Sequence, residues 1–241
     1  VKDVLLNLPN VEIFSMKKSS LYFHLLTQFI FKPDYKNLIK DSKWIFIHNS
    51  KLIKFLGHHS VKLGMINHSG KLRNTLHRAS NIFITRSGYE RFIFQYPNNQ
   101  STNIVIPHGF EQIPASLSSK NDKVLKIIAA GRFVAKKGFD DILEAAAQLQ
   151  KDNFPVQINL FGSGPLESKL RKKINDLSLT NTQLIGWTKD LHIEFKKADV
   201  FCIPSLEEPF GLIIGEAMMH GLPVISTRTD GANEIFGTEP E

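Results

Sequence analysis

Short apolar runs rich in β-branched residues alternate with helix-spaced segments along this chain, and that alternation restricts the fold more than any other feature. In the second half, "KVLKIIAAG", "VQINLFG", "TQLIGW", "DVFCIPS" and "LPVIST" read as strands. Between them, "KGFDDILEAAAQLQ" places Phe139, Ile142, Leu143, Ala146 and Leu149 at helical spacing. "PLESKLRKKINDLS" predicts a helix with proline in its first turn, "LHIEFKKA" a short helix, and "GLIIGEAMMHG" a helix closed by Gly221. Strands without a polar alternate face, separated by helices, imply a parallel sheet in a doubly wound α/β domain.

The first half repeats the theme. "KWIFIHN", "VKLGMIN", "SNIFITRS" and "TNIVIPHG" read as strands, with "GKLRNTLHRA" and "GYERFIFQY" as helices between them. The polar stretch "EQIPASLSSKND" has no apolar period and reads as a linker. The sequence therefore predicts two Rossmann-like domains, residues 1–112 and 124–241, joined by residues 113–123.

Charge divides the chain at the same place. Residues 1–115 hold 15 Lys/Arg against 6 Asp/Glu, a net of +9, whereas residues 116–241 hold 15 against 17, a net of −2. A basic half attracts anionic lipid, nucleic acid or phosphorylated substrates, and it is equally what a solvated lysine-rich surface looks like. No aromatic-interleaved basic surface or nucleic-acid motif accompanies it, so no nucleic-acid partner is expected. The apolar stretch "LYFHLLTQFIF" is interrupted by polar residues and falls short of the roughly 20 residues a membrane span needs. The single cysteine, Cys202, excludes a disulfide framework and lies in a strand-like run, where it is expected to be core; a cytoplasmic location is the expectation.

Ligands of open parallel sheets bind beyond the carboxyl ends of the strands. Gly131 and Arg132, with Lys137 close behind, follow the first strand of the second half; Gly162 follows the next, then Gly186, Trp187 and Thr188, then Glu208, Phe210, Gly211 and Leu212. Glycines admit a phosphate to backbone N–H groups, the helix starting near Gly211 favours an anion, and Arg132 and Lys137 neutralise a diphosphate. A carboxylate accepts the paired hydroxyls of a ribose or sugar. Glu208 falls in the loop before the helix and Glu216 in its second turn, so each addresses a different part of an extended ligand. Each acid taken alone is also what a solvated residue near a helix start looks like.

"GRFVAKKG", "FGSGPL", "IGWTKD" and "PSLEEPFGLIIGEAMMHGLPVISTRTDGANEI" together resemble family 4 of the retaining glycosyltransferases, enzymes of the GT-B fold. The last block carries an E-x7-E motif from Glu208 to Glu216 and a following "DGANE" loop; "IVIPHGFE" is similar to the family's hinge, with His108 in place of Asn and, in the helix, Met219 in place of Ala. The resemblance implies transfer of a hexose from a nucleotide-diphosphate sugar to a hydroxyl of a glycan or glycolipid acceptor, with retention of configuration by front-face attack. It assigns Arg132 and Lys137 to the diphosphate, Glu216 to the ribose and Glu208 to the transferred sugar. The turn Phe210–Gly211–Leu212 then faces the phosphates, and Gly186–Trp187–Thr188 border the base. It also places a histidine near the donor sugar: His68 in "MINHSGK", with His48 in reserve. No Asp/His cluster has metal-ligand spacing, so metal-independent transfer with no cofactor is expected. Relative to the family pattern, the opening strand with its glycine-rich loop and the last elements of the second domain are expected to be missing. A sugar-nucleotide 2-epimerase of the same fold and a non-catalytic binding module are the alternatives.

Overall fold

The structure is a computed structural model, and it describes residues 44–47, 62–67, 79–110 and 123–237. Two parallel sheets account for its strands. The first has the order β1-β2-β3-β4, from β1 (Trp44–Ile47), β2 (Lys62–Asn67), β3 (Ser80–Phe83) and β4 (Asn103–Val105). Helix α1 (Arg86–Gln95) connects β3 to β4, and Thr85 starts it by accepting the Gly88 N–H on its hydroxyl. Phe83 and Phe92 are buried between this helix and its sheet, with ring centroids 5.1 Å apart.

The second sheet has the order β7-β6-β5-β8-β9, all parallel. Its strands are β5 (Leu125–Ala130), β6 (Val156–Phe161), β7 (Thr182–Gly186), β8 (Val200–Ile203) and β9 (Val224–Ser226). The crossovers run through α2 (Phe139–Lys151), α3 (Glu167–Asp176), α4 (Leu191–Lys197) and α5 (Leu212–Met219), and α6 (Asp230–Phe236) follows β9. Successive residues of β5 feed opposite cores. Ala129 joins Phe133, Leu143, Ile158, Leu160 and Leu170 on one face. Ile128 joins Phe161, Phe195, Phe201, Ile214 and Ala217 on the other. Each buried aromatic or branched side chain contributes on the order of 1.5–3 kcal/mol, so two such clusters hold helices on both faces of the sheet.

The expected helices over 139–151, 191–197 and 212–219 form, and Phe139, Ile142, Leu143 and Ala146 are buried as their spacing predicts. Helix α5 ends at Gly221 as expected: the N–H groups of Gly221 and Leu222 reach back to the carbonyls of Met218 and Ala217, and Gly221 has φ +73°. Helix α3 starts at Glu167, with Pro165 in the preceding turn instead of the first helical turn. Cys202 is half-buried and packs against the first core cluster.

One expectation is corrected. The "DGANE" segment is helix α6, not a loop: the Thr229 hydroxyl accepts the Ala232 N–H, Asp230 stands in the first turn, and Ala232 is buried in the core. His48, His68, the predicted helix through "GKLRNTLHR" and all of the predicted linker but Lys123 lie outside the described residues.

Candidate active site at the switch point of the second sheet

The strand order reverses between β5 and β8: β6 and β7 build outward from one side of β5, and β8 and β9 from the other. A crevice opens at such a switch point, between the loops that leave the two strands. Those loops are Gly131–Gly138 after β5 and Pro204–Gly211 after β8.

Backbone hydrogen bonds tie the first loop to the loop after β6. Gly131 donates to the Phe161 carbonyl, Phe133 donates to the Ser163 carbonyl, and Leu166 donates back to Phe133. Phe133 is fully buried and meets Phe139 edge to face, while its neighbour Arg132 is exposed. Residues Ala135–Lys137 form one 3-10 turn that leads into α2. The carbonyl of Lys136 accepts the N–H groups of Leu206 and Glu207, tying the first loop to the second.

Across this junction the Lys137 ammonium and the Glu208 carboxylate form an ion pair, with side chains 20% and 11% exposed. The pair fixes the ammonium at this junction, and Arg132 and Lys136, both exposed, add positive charge beside it. Phe210 is buried beneath the loop, and Gly211 caps α5 at φ +78°, without a side-chain cap. A left-handed residue there costs a non-glycine about 1–2 kcal/mol. At the start of this eight-residue helix the Ile214 N–H takes the Gly211 carbonyl at 2.8 Å, and the Leu212 and Ile213 N–H groups stand ahead of the i−4 ladder. Leu212 is exposed at its start, and Glu216 is exposed one turn further on.

On the other side of β5, Gly162 and Gly186 end β6 and β7 and join through a Gly162 N–H to Gly186 carbonyl bond of 2.8 Å. Trp187 follows with 71% of its surface exposed, so it is not a core residue, and Thr188 is half-buried and accepts the Asp190 N–H. The structure thus brings Lys137 and Glu208 into contact, sets Arg132, Phe210, Gly211, Leu212 and Glu216 on the same two loops and helix, and ranges Gly131, Gly162, Gly186 and Trp187 along the same sheet edge.

Sequence reasoning missed two relationships. The first is the direct pairing of Lys137 with Glu208, which sequence spacing alone does not encode. The second is Phe110, which stacks on Phe210 with centroids 6.1 Å apart and lies over Gly215, where an added Cβ would meet its ring at 2.0 Å. His108 meets the same Phe210 edge to face at 4.8 Å. A glycine in mid-helix was the available signal for this close approach.

Residues 111–239, more than half of the chain, match the pattern of the glycosyl transferases group 1 family. The chain belongs to the group 1 glycosyl transferases. Among its relatives is the lipopolysaccharide core biosynthesis glycosyltransferase LpsE of Rhizobium meliloti, 36% identical over 106 residues, covering 44% of this chain and 30% of that protein. Another is the poly(glycerol-phosphate) alpha-glucosyltransferase of Bacillus subtilis, 31% identical over 163 residues, covering 63% and 24%. The matched region therefore spans 30% of the length of the first relative and 24% of the second. In fold it is similar to HepE of Anabaena, solved with UDP and glucose, with a TM-score of 0.70, 20% identity, and coverage of 84% of this chain and 63% of that one. A glycosyltransferase from Rickettsia africae gives a TM-score of 0.72 at 16% identity over 95% of this chain and 68% of that one. This group 1 glycosyl transferase has the GT-B fold, with Rossmann-like sheets. Among its described residues, no helix is long and apolar enough to cross a membrane and no group of three or more His, Cys, Asp or Glu could hold a metal ion.

Proposed function

We propose that this chain carries the donor site of a retaining, metal-independent family 4 glycosyltransferase, which moves a hexose from a nucleotide-diphosphate sugar to a hydroxyl of a cell-envelope glycan or glycolipid. The observation that carries this reading is the meeting of Lys137 and Glu208 at the switch point, beside the open start of α5. Residues 1–112 and 124–241 are the acceptor-side and donor-side domains, joined by 113–123.

The roles follow from the chemistry. Breaking a sugar–phosphate bond places negative charge on the departing diphosphate, and Arg132, Lys137 and the N–H groups at Gly211 and Leu212 stabilise it where it develops. These cations take the part a metal plays elsewhere. Gly131 lets the backbone approach the phosphates, Gly162, where an added Cβ would meet the Gly131 carbonyl oxygen at 1.9 Å, lets that loop pack closely, and Phe210 supports the turn. Glu216 accepts the ribose hydroxyls. Glu208 addresses the transferred sugar and, through Lys137, holds the ammonium toward the phosphates. The exposed face of Trp187, with Gly186 and Thr188, borders the base. His68, from the first domain, approaches the donor sugar. The acceptor hydroxyl attacks from the face the diphosphate leaves, its proton passing to that leaving group.

HepE was solved with UDP and glucose, and LpsE acts in lipopolysaccharide core biosynthesis; both support a nucleotide-sugar donor and an envelope acceptor. The basic first half suits peripheral contact with an anionic membrane from the cytoplasmic side. The reading is tested by supplying UDP-, GDP- and ADP-sugars with lipid-linked or core-oligosaccharide acceptors and following the product anomer by NMR. One donor consumed, without added metal, to an α-linked product from an α-donor is expected. Transfer with inversion, or only in the presence of a divalent ion, contradicts it.

A further inference from the structure

Helix α6 is held from the opposite sheet at two points. Arg91 of α1 forks onto the Asp230 carboxylate, Nη1 to Oδ1 at 2.9 Å and Nη2 to Oδ2 at 2.7 Å. One turn along α6, the Glu234 carboxylate accepts the Arg86 N–H at 2.8 Å and so caps the start of α1. Asp230 and Glu234 are four residues apart on one face of α6, and they meet the start and the middle of α1 together. The hydrogen bonds that Arg91 donates to Asp230 hold the pKa of its guanidinium above the usual value.

Helix α6 also holds the loop after β8. Gly231 donates its N–H to the Glu208 carbonyl at 2.8 Å. A Cβ on Gly231 would stand 2.2 Å from the Phe210 carbonyl oxygen, so helix and loop are in backbone contact with no slack between them. The loop thus has two anchors: Lys136 holds Leu206 and Glu207, and α6 holds Glu208 and Phe210.

We infer that Arg91 is a positioning residue supplied by the first sheet, which clasps α6 through Asp230 and thereby fixes the loop that presents Glu208 and the start of α5. The significance of that loop rests on the donor-site reading above. The Arg91–Asp230 side chains are 44% and 34% exposed, and exposed ion pairs are individually weak. The second point of the clasp, a carboxylate on a backbone N–H, makes it a small network and sets its direction.

Amide hydrogen exchange on the whole chain tests this without relying on activity. Arg91→Ala is expected to speed exchange of Gly231 and of the amides in 206–208 and 210–211 several-fold, while protection in β5 and β6 is unchanged. Arg91→Lys, which keeps the charge and loses the fork, is expected to fall between. Lys169→Ala, which breaks an exposed pair to Asp140 on the far helices, is expected to leave 206–211 unchanged. Unchanged exchange at 206–211 in both Arg91 variants overturns the inference, as does an equal effect of Lys169→Ala. Nucleotide titration of the same variants is a separate readout, with the clasp predicting a several-fold higher Kd for Arg91→Ala. If the unaltered chain binds no nucleotide, the donor reading fails while the exchange data still decide the clasp.

Discussion

The Lys137 ammonium rests on the Glu208 carboxylate, 71 residues away in sequence, and so joins the loops that leave β5 and β8 on the two sides of the topological switch point. Both side chains are largely enclosed, so removing either leaves a poorly solvated charge behind. Lys137→Ala is expected to lower the rate of transfer by about 10²–10³, the usual loss for one preorganised charge-stabilising donor. Glu208→Gln is expected to lower turnover and, because the carboxylate that holds the Lys137 ammonium is lost, to weaken nucleotide binding as well. Steady-state kinetics with separate nucleotide titration check both; a Glu208→Gln variant with normal turnover contradicts its assignment.

Gly211 stands where a side chain is costly. Its φ is +78°, and an added Cβ would meet Ile214 Cδ1 at 2.8 Å and Glu208 Cγ at 2.9 Å. The left-handed backbone costs about 1–2 kcal/mol for alanine. The side chains it meets are flexible ends that can move, so Glu208 is displaced and the fold survives. Gly211→Ala is therefore expected to lower the thermal midpoint by only a few degrees and to weaken nucleotide binding by more than that stability loss implies.

Phe110 and Gly215 make a prediction with a definite sign. Glycine to alanine inside a helix ordinarily stabilises by about 1 kcal/mol. At Gly215 the new Cβ would stand 2.0 Å from the Phe110 ring. Gly215→Ala is expected to bring no gain in the unaltered chain and to recover the gain in a Phe110→Ala background. Denaturant melts of the four proteins form the cycle, and additivity of the two substitutions contradicts the contact.

Much of the second sheet was legible in the sequence because its strands are continuous apolar runs and its helices carry a clean apolar period. The positions of Arg132, Glu208, Gly211 and Glu216 after strand ends followed from that order alone. Helix α6 was not legible: "DGANEIF" has too few residues to show a period, and its stability comes from the Thr229 cap, the buried Ala232 and the contacts to α1. The cue that was available was Thr229 followed by an acid in the first turn. The Lys137–Glu208 and Arg91–Asp230 pairs were invisible for a different reason. Each joins residues from separate strand–helix units, and only the folded register brings them together.

Cys202 supplies a pH test of the core. Burial pushes its thiol up to about 11, from the ordinary 9.0. The folded chain therefore holds this proton across roughly pH 9–11 while the unfolded chain releases it, so the contribution is fully present below pH 9 and is lost as pH rises toward 11. Cys202→Ser or Cys202→Ala is expected to flatten that part of the stability–pH curve. Alkylation of native Cys202 at pH 8 is expected to be far slower than that of the unfolded chain. Equal alkylation rates for native and unfolded protein would show that the thiol is not shielded.

The donor site itself is tested most directly by calorimetric titration of the chain with UDP, GDP and ADP, alongside Glu216→Ala and Arg132→Ala. One nucleotide is expected to bind, with each substitution weakening it about tenfold or more, as loss of a charge-assisted contact does. A folded chain that binds none of the three, or that binds one with equal affinity in all variants, contradicts the assignment of the switch point between β5 and β8 as a nucleotide-sugar site.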